Sequence, residues 1–77
     1  MEPITAEAVF DKYATASKLP ARKTDEALAD YITRVGTTDE ITRRLQGAVD
    51  AARVADHAEC AHWASQASEA LTPRWKN

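Results

Sequence analysis

The chain reads as an all-α protein, and three observations carry that reading. From residue 52 to residue 70 every third position is alanine (Ala52, Ala55, Ala58, Ala61, Ala64, Ala67 and Ala70), with no Gly or Pro between them. Alanine has the highest intrinsic helix propensity and loses no rotamer entropy on folding. Capping residues, apolar stripes at helical spacing and stop residues mark out helices before this run. No stretch shows the strict two-residue alternation of a half-buried strand.

The first helix spans about 5–18. Thr5 is a good N-cap with Glu7 in the first turn, and Val9, Phe10, Tyr13, Ala14 and Ala16 recur at helical spacing before Pro20 stops the run. The second spans 24–35. Thr24 caps it, Asp25 and Glu26 occupy its first turn, and Leu28, Tyr31, Ile32 and Val35 form its stripe. Gly36 supplies the left-handed residue that commonly ends a helix. Thr37-Thr38-Asp39-Glu40 has the capping-box spacing and opens a third helix over 38–71, which Pro73 stops. At about 1.5 Å per residue such a rod reaches roughly 50 Å.

The long helix carries one stripe, Ile41, Leu45, Val49, Ala52, Asp56, Cys60, Trp63, Ala67 and Leu71, at spacings of four, four and three. Trp63 is therefore expected in the core. The architecture that follows is a small bundle of three helices with a long Ala-rich C-terminal helix, or of four if that helix bends or breaks at Gly47. One helical domain covers 1–77, with 72–77 as a tail.

Composition narrows the function classes. The 77 residues hold 12 acidic and 10 basic side chains, well mixed, for a net charge of −2. Bulk attraction to nucleic acid or to an anionic membrane is not expected. A lone cysteine, Cys60, excludes an internal disulfide and fits a reducing compartment, and no apolar stretch is long enough for a membrane span. Cytoplasmic localisation follows as the expectation.

No catalytic constellation is visible. Cys60 has His57 and His62 near it in sequence, but it sits mid-helix, away from the N-terminal dipole that lowers a thiol pKa. No Gly-rich phosphate loop exists, since the two glycines are 11 residues apart. Glu59 and His62 have the Glu-x-x-His spacing of di-iron bundles, which need two such motifs and two further glutamates. One copy implies no metal site within the chain, although a metal-bridged dimer would double the ligands. In the plainer reading, Asp56 and Glu59 pair with Arg53 or with cations from the first helix and loop.

What remains is binding. The chain is read as a small non-enzymatic protein that docks on a larger protein as a regulator, inhibitor or adaptor, without a cofactor. Trp63, Trp75, Arg74, Arg43 and Arg44 are its candidate contact residues, because Trp and Arg are enriched at interface hot spots. A second reading is a DNA-binding regulator using a helix-turn-helix-like segment at 28–46. Asp39 and Glu40 oppose it, occupying the positions where a recognition helix meets phosphates. The rod also exposes more apolar surface than the first two helices can cover. That predicts a homodimer seamed along Ala48, Ala51, Ala55 and Ala58.

Overall fold

The computed structural model describes residues 5–71. They form four helices, α1 (Ala6–Ala16), α2 (Leu28–Val35), α3 (Asp39–Arg53) and α4 (His57–Leu71), with no strand among the described residues. The all-α expectation holds. The single rod expected over 38–71 does not: it is two antiparallel helices, α3 and α4, folded against each other. α1 packs across both, and α2 packs on α3.

The reversal is not at Gly47 but at Val54-Ala55-Asp56. Ala55 takes the left-handed conformation (φ 55°). The Asp56 N–H donates to the Ala51 carbonyl at 2.9 Å, and the Ala55 N–H to the Ala52 carbonyl at 3.1 Å. These are the two bonds of a Schellman stop. Asp56 then starts the next helix, its carboxylate accepting from the Glu59 N–H at 3.1 Å. A left-handed alanine costs roughly 1–2 kcal/mol. Folding back outweighs that cost, because it encloses Leu45, Val49, Cys60, Ala64 and Ala67, all fully buried, and burying one Leu or Val side chain is worth about 1.5–3 kcal/mol.

The first half of the chain is held differently. Thr5 caps α1 as expected, accepting from the Ala8 N–H at 3.1 Å. α1 ends in a second Schellman stop, with Lys18 left-handed (φ 64°) and the Leu19 N–H on the Ala14 carbonyl at 2.9 Å. α2 starts at Leu28, three residues later than a cap at Thr24 implies, and Ala27 makes no side-chain cap. The reason is Glu26. Its carboxylate is taken by the Arg34 guanidinium through two bonds of 2.8 Å and by the Lys23 N–H at 3.0 Å, which fixes residues 23–26 as a turn. Arg22 grips Asp11 through two bonds, at 3.0 and 2.8 Å, and its third nitrogen donates to the Glu26 carbonyl at 2.6 Å. The Tyr31 hydroxyl donates to the Pro20 carbonyl at 2.7 Å. Burial pushes its pKa up to about 12.

At the α2–α3 junction Gly36 is not left-handed (φ −77°, ψ 79°). It centres a three-residue turn closed by the Thr37 N–H on the Val35 carbonyl at 2.9 Å. Glycine is needed here for space, since a Cβ would strike Thr42 Oγ1 and the Ile32 carbonyl oxygen. Thr38, one residue later than the capping-box reading, caps α3 by accepting from the Ile41 N–H at 3.2 Å. The core runs from Phe10 and Tyr31, edge to face at 5.2 Å, to Leu45, Val49 and Cys60.

Two predictions follow from these stops and clamps. Ala55→Gly relieves the left-handed strain but adds freedom to the unfolded chain, the two effects being about 1–2 and 0.5–1 kcal/mol. A net gain of roughly 0.5–1 kcal/mol is expected in urea unfolding, with a loss refuting the assignment. Arg34 and the Lys23 N–H hold the Glu26 carboxyl at about 2, below the ordinary 4.5. Folded protein therefore binds fewer protons than unfolded protein in that range, so this contribution is complete above about pH 4.5 and is lost as pH falls toward 2. Glu26→Gln is expected to be less stable than the parent at pH 6 and to converge with it near pH 2. Parallel unfolding curves across that range would refute the clamp.

Candidate interaction surface

α1 and α2 cover one side of the α3–α4 hairpin. The other side is open, and it is lined along α3 by a stripe in which Asp39, Arg43, Gly47, Asp50 and Val54 recur at spacings of three and four. From α4 come Glu59 and the large ring of Trp63. The indole lies directly on the backbone of α3 at Gly47, where a Cβ would come within 2.7 Å of Cδ2 and 2.9 Å of Cγ. Gly47 is thus a seat for a ring rather than a weak point in a helix. The indole N–H donates to Glu59 Oε2 at 3.3 Å, and His62 stands edge-on to the ring at 5.2 Å.

The seated indole divides the surface into two grooves that share Gly47, Asp50 and Trp63. The first, about 480 Å³, runs toward the start of α3 and is bounded by Asp39, Thr42, Arg43 and Gln46. The second, about 340 Å³, runs toward the chain reversal and is bounded by Ala51, Val54, Asp56 and Glu59. Val54 is 74% exposed, the one large hydrophobic side chain left in solvent among the described residues. Nothing in the sequence marked it, because in a continuous helix it falls beside the polar face.

The sequence-predicted contact residues separate. Trp63, expected in the core, is partly buried and packs against the core's edge. Arg43 is exposed at the first groove. Arg44, about 100° further round α3, is engaged within the fold: it pairs with Glu40 and donates to the Gln66 carbonyl at 2.8 Å. Arg44 therefore ties α3 to α4, and the two arginines do not form one cationic patch. Arg74 and Trp75 lie outside the described residues. The alanines of the proposed seam do not share a surface either. Ala48 and Ala51 are buried, Ala55 is in the reversal and Ala58 is exposed on α4. Such a seam requires a straight rod, and the chain reverses between α3 and α4.

The polar segment around Cys60 is also used internally. Asp56 is a cap and Glu59 holds the indole, while Arg53, the partner expected for them, lies 3.7 Å from Asp50. His57 Nδ1 meets the Tyr13 hydroxyl at 2.8 Å and joins α4 to α1. Burial pushes the Cys60 thiol pKa up, with the Asp56 charge adding to it, which disfavours the thiolate. Among the described residues no three His, Cys, Asp or Glu side chains are grouped to hold a metal ion, and no helix is long and apolar enough to cross a membrane.

No protein-family model matches the chain, and neither does any curated protein or solved structure.

The seat at Gly47 makes its own prediction. Alanine in mid-helix normally adds about 1 kcal/mol over glycine, but here the new methyl collides with the indole, and overpacking costs about 1–3 kcal/mol. Gly47→Ala is expected to lower stability by roughly 1 kcal/mol and to red-shift Trp63 emission, read in a Trp75→Phe background. A stabilised protein with unchanged emission would refute the seat.

Proposed function

We propose that this chain is a non-enzymatic helical protein that acts in the cytoplasm by binding a larger protein, as a regulator, inhibitor or adaptor, through the open side of the α3–α4 hairpin. One observation carries the reading. A tryptophan is fixed by a glycine seat and a hydrogen bond, half-exposed between two grooves, with the exposed Val54 beside it. An indole held this way loses little conformational freedom when a partner covers it, and rigid aromatic anchors flanked by pockets are the usual centre of binding energy. A site for small-molecule chemistry has less to build on, since the grooves are shallow and the polar groups on them are fully exposed or committed to the fold.

The test is affinity capture of the tagged chain from its native cell with two surface variants. Val54→Arg alters the proposed face, and Thr33→Arg alters an exposed position on α2. A protein retained by the parent and by Thr33→Arg but lost with Val54→Arg supports the reading. Retention that ignores Val54→Arg refutes it.

A further inference from the structure

The open face of the hairpin gathers four carboxylates in one place. Asp39, Asp50, Asp56 and Glu59 rim the two grooves against the guanidinium of Arg43, with that of Arg53 beside Asp50, so this one face carries as much net negative charge as the whole chain, which is −2. All four acidic residues are exposed. Asp50 accepts from the Gln46 amide at 2.9 Å and has Arg53 at 3.7 Å, Asp56 accepts one backbone N–H, and Glu59 accepts the indole N–H. A carboxylate has about four acceptor positions, so these contacts leave capacity for incoming donors. Among these carboxylates lies an apolar patch of Trp63, Gly47, Ala51 and Val54.

Resting on the proposed docking role of this face, we infer that its occupant is a cationic amphipathic helix of a partner protein. Its apolar side meets Trp63 and Val54, and its Lys or Arg side chains reach the flanking carboxylates. The two grooves together follow α3 from residue 39 to residue 54, roughly 22 Å at 1.5 Å per residue, which suits a helix of about 15 residues. Two helices side by side offer a groove for a third, and no sheet edge exists among the described residues to take an extended strand. A second copy would bring the same carboxylates onto this face across a twofold axis, and nucleic acid would bring phosphates. Charge disfavours both.

The probe is a fluorescein-labelled 16-residue peptide with leucines on one helical face and lysines on the other, followed by anisotropy against the purified full chain. Two controls share its length: a scramble of the same composition that has no amphipathic face, and a version with glutamate in place of lysine. The amphipathic cationic peptide is expected to bind at least tenfold tighter than either control and to weaken as salt rises from 50 to 300 mM. Val54→Ser and Asp50→Lys, checked for unchanged circular dichroism, are each expected to weaken it at least threefold. Equal binding of the scrambled or acidic peptide, or indifference to Val54→Ser, overturns the inference. Self-association of the parent abolished by Asp50→Lys also overturns it and gives the face to a second copy. A captured partner that is lost with Val54→Arg, alongside a peptide series showing no preference for positive charge, would refute the charge and leave the docking role standing.

Discussion

The open face of the α3–α4 hairpin depends on one residue facing two ways. The Asp56 backbone closes α3 through the Ala51 carbonyl, while its side chain opens α4 through the Glu59 N–H. Two helices that would otherwise be joined by a loop share a single residue between stop and start, so α4 leaves the turn already directed back along α3. The pairing that results sets Arg44 against the Gln66 carbonyl and Gly47 under Trp63. Small side chains are buried on both helices, Ala48, Ala51 and Ala52 on α3 and Ala64 and Ala67 on α4.

Polar clamps, by contrast, organise the first half. The segment between α1 and α2 has little apolar surface of its own, and it is fixed by Arg22 on Asp11, Arg34 on Glu26 and Tyr31 on the Pro20 carbonyl. Both arginines use the planar fork that matches a carboxylate through two bonds, which gives direction as well as attraction. With that segment held, Phe10 and Tyr31 meet edge to face and Leu19 and Leu28 close the core. One side of the α3–α4 hairpin is thereby covered, and the other is left to solvent.

Much of this was legible in the sequence, for identifiable reasons. Thr5 caps through a contact three residues away, and the stripes Val9-Phe10, Leu28-Tyr31-Ile32-Val35 and Ile41-Leu45-Val49 are buried as their spacing implies. Those signals are local. The reversal was not read because Ala55 is an unusual residue for a left-handed position and its neighbours all favour continuing the helix. The available clue was Asp56-His57-Ala58-Glu59, which has the same cap-to-acid spacing that was read as a helix start at Thr37. Thr24 misled for a different reason, since Glu26 is recruited by Arg34, eight residues on, and tertiary pairing overrode a local start signal. The candidate surface was half legible. Trp63 and Arg43 stand on it, but Val54 and the role of Gly47 depend on which helix faces which, and a one-dimensional pattern does not contain that.

The contact between Gly47 and Trp63 means that neither position can vary independently. A larger residue at 47 displaces the indole unless a smaller ring stands opposite it, and a smaller ring opposite an unchanged glycine leaves a gap over bare backbone. Substitutions at neighbouring, shape-matched sites combine non-additively, so the pair forms a lock-and-key joint across the hairpin. For anyone recasting this scaffold to present a different side chain from α4, the residue to choose first is the one at 47, because its size sets the menu for 63 before any partner is considered.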